Sequence, residues 1–373
     1  MALVLHIGPP KTATSYIQGC LIVARENPPA GFAVANAGWY WNGHHQIARQ
    51  LRQHRIDPGT VPNSEVTSGD HLGDLRREIE TFQDRDLVVS SETFSSLNRD
   101  EVGILREAIP EEVEVRIVVS VRALLVYYLS GWREWLKRGL VVPFPHDRVV
   151  GPAYFLGNWT DIVLPMAEMK EWMEKWVDVF GSDVINIFSV APSGSDPTVT
   201  WERFLEAGGV SRTEDVLELS SAVQPLNESL DAWSTEVAML AGVEVGLNDP
   251  EWDSTRWNGL TRTECAARFE QSLNALRDRM PNEVLAHDPN LIIEDEQMNV
   301  LRDALEADVE LLREYCTMFR FIGSRDDLYD HVSIRSAERL RAYRAFSTAF
   351  LPELWASRLV TGLRTDVFST VES

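Results

Sequence analysis

The chain has 373 residues, enough for one large domain or two ordinary ones. Its 35 Lys+Arg against 57 Asp+Glu leave a net charge of −22, which argues against a protein whose main work is holding nucleic acid or an anionic membrane. With 44% hydrophobic and 25% charged residues, the composition is that of a globular chain with material for a core.

Taken in order, short apolar runs alternate with amphipathic stretches. Residues 3–8 (LVLHIG) read as a buried strand, and Thr14 to Arg25 as the helix that follows. Leu72 to Gln83 is helical in pattern, 87–91 (LVVSS) a strand, Asp100 to Ala108 a helix and 115–121 (VRIVVSV) a strand. Helical patterns then cover Ala123 to Arg138 and Met166 to Phe180, before a strand at 184–189 (VINIFS) and a helix at 196–207 closed by Gly208-Gly209. Strand–helix alternation with near-continuous apolar strands predicts an α/β fold, a parallel sheet flanked by helices on both faces. From about residue 215 the pattern is almost wholly helical. The expected organisation is an α/β core over 1–215 and a mainly helical C-terminal extension over 216–373, packed on that core.

Cys20, Cys265 and Cys316 are odd in number and far apart, the usage of a reducing compartment rather than of a disulfide framework or zinc ribbon. The N-terminal apolar run Leu3 to Ile7 goes straight into Gly8-Pro9-Pro10-Lys11 and does not resemble a secretory signal. Ala123 to Leu129 meets Ser130 and Arg133 well short of the ~18–20 apolar residues of a membrane span. No transmembrane segment and a cytoplasmic location are therefore expected, with the sequons at Asn158 and Asn227 coincidental.

The first strand runs into Pro9-Pro10-Lys11-Thr12-Ala13-Thr14-Ser15-Tyr16-Ile17-Gln18. A strand, a tight turn, a lysine, hydroxyls and a helix start form an anion site, because helix N-terminal N–H groups and the helix dipole face the ligand. The Walker A signature is absent: Pro10 stands where its second glycine belongs, and Gly8 lies too close to Lys11 to be the first. The plain alternative is a strand-to-helix turn that happens to carry a lysine and a capping hydroxyl. At the end of 115–121 comes Arg122, with Ser130 eight residues on in the next helical pattern. Arginine offers a planar fork to phosphate oxygens and serine a short-range hydroxyl. Segment 115–140 holds Arg116, Arg122, Arg133, Lys137 and Arg138 against one acid, Glu134. Arg133 and Lys137 are candidates only, since a charge run is usually a solvated face.

The Pro-Lys-x-x-Thr-Ser string, with Gln18, resembles the 5′-phosphosulfate loop of sulfotransferases that use 3′-phosphoadenosine 5′-phosphosulfate (PAPS). Arg122 and Ser130 resemble the arginine and serine with which that family grips the 3′-phosphate. Ala13 replaces the usual glycine, and Ala123-Leu124 stands where a proline commonly follows the arginine. Trp176 to Gly181 and Leu226 to Leu230 resemble bacterial members; the Arg-Lys-Gly loop of cytosolic animal enzymes is not found. The resemblance spans roughly residues 1–235.

It implies a P-loop NTPase-like sulfotransferase fold and transfer of a sulfuryl group from PAPS to an acceptor hydroxyl or amine, leaving adenosine 3′,5′-bisphosphate. Lys11, Thr12, Ala13, Thr14 and Ser15, with Arg122 and Ser130, would bind the nucleotide, and Lys11 would stabilise the leaving oxygen. No metal is required. The acceptor, a carbohydrate, lipid or other small molecule, stays open, as does the oligomeric state. For the general base the resemblance points to the end of strand 87–91 and hence to Glu92, with His44 and His45 as alternatives and helix capping as the plain role. The histidine pair otherwise reads as exposed loop. Two rival functions stand beside this one: a small-molecule kinase with a degenerate phosphate loop, and a noncatalytic nucleotide-binding protein on the same fold.

Overall fold

Five-residue apolar runs with no charge in their middles cannot face water on either side, so they form the interior of a parallel sheet. A computed structural model describes residues 1–29, 31–53, 69–82, 84–124, 126–127, 130, 169–192, 195–210, 213–223, 306 and 309–328. Four strands lie where the apolar runs predict: β1 (Ala2–His6), β3 (Asp86–Ser90), β4 (Glu114–Val121) and β5 (Ile185–Ser189). Two three-residue strands are added, β2 (Phe32–Val34) and β6 (Arg320–Ile322). All six are parallel, in the order β2-β3-β1-β4-β5-β6. The fold is thus α/β, with a six-stranded parallel sheet between helices, consistent with a P-loop-like arrangement.

The helices are α1 (Thr14–Glu26), α2 (His45–Gln53), α3 (His71–Thr81), α4 (Arg99–Ala108), α5 (Met169–Phe180) and α6 (Thr198–Ala207). Pleating sends alternate strand residues to opposite faces. Val4, Val88, Val118 and Phe188 pack on Ile17, Cys20 and Leu21 of α1 and on Trp201, Phe204 and Leu205 of α6. Leu3, Leu5, Val89 and Val119 point the other way and are equally buried. Helices α2 to α5 pack on one another as a second layer. Gly209, just past the end of α6, has φ 61, a left-handed backbone that favours glycine, and a Cβ there would also stand 2.5 Å from the Arg116 guanidinium. At the other end of the chain's first half, Asn98 and Glu101 form a reciprocal capping box that starts α4.

The chain divides into two compact units: Met1–Tyr127, Thr160–Asn227 and Leu305–His331 in the first, and Tyr128–Trp159, Glu228–Ala304 and Val332–Ser373 in the second. Segment 305–331 returns to the first unit because its strand β6 pairs with β5, and because Asp327 accepts from Ser189 Oγ at 2.8 Å and pairs with Arg203 at 2.7 Å, both largely buried. Residues 309–318 are helical, as the pattern predicts. Of the second unit, Ser130 is the one described residue. Most of the expected helical extension, including Leu226 to Leu230, lies outside the described residues, as do Arg133 and Lys137.

Candidate anion-binding site

The order of strands decides where a ligand can sit. From β1 the chain moves to β2 and β3 on one side, then crosses β1 to reach β4 on the other. The crevice at the carboxyl ends of a parallel sheet opens at such a switch point. Here that end is the loop from Ile7 to Ala13.

The loop is strained. Lys11 has φ 70 and Ala13 φ 61, left-handed conformations that a residue with a Cβ enters at a cost of about 1–2 kcal/mol each. They bracket Thr12 in an alternation of backbone hand that turns successive N–H groups to one side, the concavity called a nest. Helix α1 begins immediately after. Its cap position, Ala13, makes no side-chain cap bond, and its first turn has no acidic residue. The N–H groups of Thr14 and Ser15 therefore lie where a helix offers no acceptor of its own.

Beneath the loop runs a buried polar chain whose direction follows from one fixed end. Thr12 Oγ1 donates to the Pro9 carbonyl at 2.6 Å, so its 2.6 Å contact with Ser120 Oγ uses the Ser120 proton. Ser120 then accepts from His6 Nε2–H at 3.3 Å, and His6 Nδ1 accepts from Ser90 Oγ at 2.9 Å. All four side chains are buried. Burial holds His6 neutral, pushed down to about 3. Gly8 passes directly over this chain: a Cβ there would stand 1.9 Å from Ser120 Oγ.

Arg122 follows β4 and donates to the Lys11 carbonyl at 3.3 Å. Burial lowers its pKa to about 10, which leaves it charged at neutral pH. Among the described residues no carboxylate pairs with it. A desolvated guanidinium without an anion is costly, and a bound phosphate would relieve it.

Glu92 opens a 3-10 turn (Glu92–Ser96) just beyond β3. Its carboxylate accepts from Thr14 Oγ1 at 2.9 Å, which brings the expected base to the start of α1. It caps nothing: Ser91 caps the turn and Asn98 caps α4. The histidines are not exposed loop residues. His44 is fully buried; its Nδ1 accepts the Ser90 N–H at 3.0 Å and its Nε2–H donates to the Ala35 carbonyl at 2.9 Å. Burial lowers its pKa to about 4. With both nitrogens committed it cannot swing toward a substrate. His45 begins α2; its Nε2–H donates to Asn42 Oδ1 at 3.0 Å, while Nδ1 lies 3.0 Å from Ser91 Oγ and 3.3 Å from Thr93 Oγ1. Burial keeps it below the usual histidine range against the pull of the Glu92 carboxylate.

The site thus brings together Lys11, Thr12, Ala13, Thr14, Ser15, Arg122 and Glu92. The Thr12 hydroxyl is turned inward, so only its backbone faces the nest. Ser130 is a buried helical residue of the second unit. Gln18 is buried, with Oε1 accepting from Asn42 Nδ2 at 2.7 Å. His6, Ser90 and Ser120 were not singled out by sequence, although each is a polar side chain near the carboxyl end of an apolar strand. Among the described residues no group of three or more His, Cys, Asp or Glu could hold a metal ion, and no helix is long and apolar enough to cross a membrane. No family model matches the chain, and no curated protein matches it.

Proposed function

We propose that this chain is a PAPS-dependent sulfotransferase. The observation that carries the reading is the pairing of the strained Lys11–Ala13 nest, set before an uncapped helix, with a half-buried Arg122 that lacks a carboxylate partner among the described residues. The nest and the first turn of α1 would take the 5′-phosphosulfate, and Arg122 the 3′-phosphate. Lys11 would lie against the bridging oxygen, where charge builds as the sulfur–oxygen bond breaks. Glu92 would take the proton of the acceptor as its oxygen or nitrogen bonds to sulfur, and the electron pair of the broken bond would stay on the leaving phosphate.

The kinase alternative is less well supported. In Walker-type loops the hydroxyl after the lysine holds Mg²⁺, whereas the hydroxyl of Thr12 is buried and spent on Pro9 and Ser120.

The test is transfer of labelled sulfate from PAPS to a panel of sugars, phenols and peptides. Wild type should sulfate at least one class. Glu92→Gln should lower turnover by about 10² or more with nucleotide affinity near wild type. Phosphate transfer from ATP without sulfate transfer would establish the kinase; tight nucleotide binding with neither would establish a binding protein.

A further inference from the structure

The segment after β2 folds as a tight two-residue turn. Tyr40 N–H donates to the Gly43 carbonyl at 2.7 Å and Gly43 N–H to the Tyr40 carbonyl at 3.3 Å, with Trp41 and Asn42 between them. Trp41 has φ 58, the position at which turns of this shape ordinarily require glycine. A bulky side chain there is an outlier, and such outliers gather where a ligand is held.

The strain is not offset by burial of the indole. Trp41 is 80% exposed and Tyr40 is 50% exposed. The other turn residue does the opposite: Asn42 is buried and is gripped by Gln18 and His45. His45 in turn lies against Ser91 and Thr93, the neighbours of Glu92. The turn is therefore pinned beside the candidate base by Asn42, and the same pin throws Trp41 outward. Arg49 lies over the Tyr40 ring at 5.0 Å and fixes it.

We infer that Trp41 and Tyr40 are the acceptor platform of this site and that the acceptor is a glycan. This rests on the sulfotransferase reading for the word acceptor, but not for the binding itself. The aromatic surface is open, and the polar side chains that its turn reaches through Asn42, namely His45, Thr93 and Glu92, are only half-buried. An open ring beside polar groups suits a sugar, which offers a C–H face to the indole and hydroxyls at its edge. A phenol gains affinity chiefly by being enclosed, and the turn offers it one face.

The experiment is calorimetric titration of wild type and Trp41→Gly with cellotetraose, chitotetraose, 2-naphthol and adenosine 3′,5′-bisphosphate, with melting curves of both proteins. At least one tetrasaccharide should bind wild type and lose about tenfold or more in Trp41→Gly, which is about 1.4 kcal/mol. The bisphosphate should bind both proteins alike. Trp41→Gly should melt no lower than wild type, because glycine accepts the left-handed backbone that tryptophan resists. The inference is overturned if neither tetrasaccharide binds, if the Trp41-dependent ligand is 2-naphthol, or if Trp41→Gly melts several degrees lower and so shows the ring to be a structural support. Trp41-dependent sugar binding without bisphosphate binding would leave the platform standing and remove the sulfotransferase reading; the reverse would remove the platform alone.

Discussion

Ser120 Oγ fills the space that a side chain at position 8 would need, and that makes the loop's support measurable. An alanine at position 8 would place its Cβ 1.9 Å from Ser120 Oγ, 3.0 Å from His6 Nε2 and 3.1 Å from Ser120 Cβ. Relief requires the loop or the serine to move, and overpacking of this kind costs about 1–3 kcal/mol. Ser120→Ala removes the clashing atom but strands the His6 Nε2–H, a buried donor, at about 1–3 kcal/mol. The two costs share one cause, so they should not add. In the double variant the nearest obstacle after His6 becomes a methyl at 3.1 Å, which must give by only a few tenths of an ångström. The cost of Gly8→Ala should therefore be smaller in the Ser120→Ala background, by about 0.5–3 kcal/mol of coupling. Urea denaturation of the four proteins at pH 7 measures this directly. Additive costs would show that Ser120 is not beneath the loop, and the hydrogen-bonded chain from Ser90 to Pro9 would fall with it.

Arg122→Met should leave the unliganded protein as stable as wild type or more so, because it removes a desolvated charge, while abolishing any preference for a 3′-phosphate; a large loss of unliganded stability would mean that the Lys11 carbonyl already satisfies the guanidinium. His44 supplies a pH test. Its folded pKa is about 4 against an unfolded value near 6.5, so between those values the unfolded chain binds more protons and stability falls as pH is lowered. The stability difference between wild type and His44→Gln, read from urea midpoints, should be largest at pH 7 and shrink by up to about 1.4 kcal/mol per pH unit between pH 6.5 and 4; a constant difference would mean that His44 is not buried neutral.

The parts of this molecule that were legible in the sequence are those set by local chemistry. Four strands announced themselves as near-continuous apolar runs, and the Gly208-Gly209 cap of α6 as a pair of glycines. Strands β2 and β6 have three residues each, too few for any period to register, and β6 opens on Arg320. Because β6 lies beyond a long intervening segment, the return of 305–331 to the sheet unit leaves no trace in composition. Helix α2 was missed because its sequence, HQIARQLRQ, carries its apolar face on Ile47, Ala48 and Leu51 alone. At the site, Lys11 and its hydroxyl neighbours were readable because they are adjacent in the chain. The His6, Ser90 and Ser120 chain was not, since it exists only through the register that sets His6 beside Ser90 and one pleat from Ser120. The roles of His44 and His45 were likewise hidden in pairings across the fold.

On the proposed sulfotransferase reading, the site at the end of β1 recognises a nucleotide carrying phosphate at both the 5′ and the 3′ position. Calorimetric titration of the wild-type protein with adenosine 3′,5′-bisphosphate and with adenosine 5′-monophosphate tests it most directly. One charge-assisted contact is worth about 1.5–3 kcal/mol, so the bisphosphate should bind roughly 10- to 150-fold more tightly. Equal affinity for the two nucleotides, or no binding of either, would contradict the account.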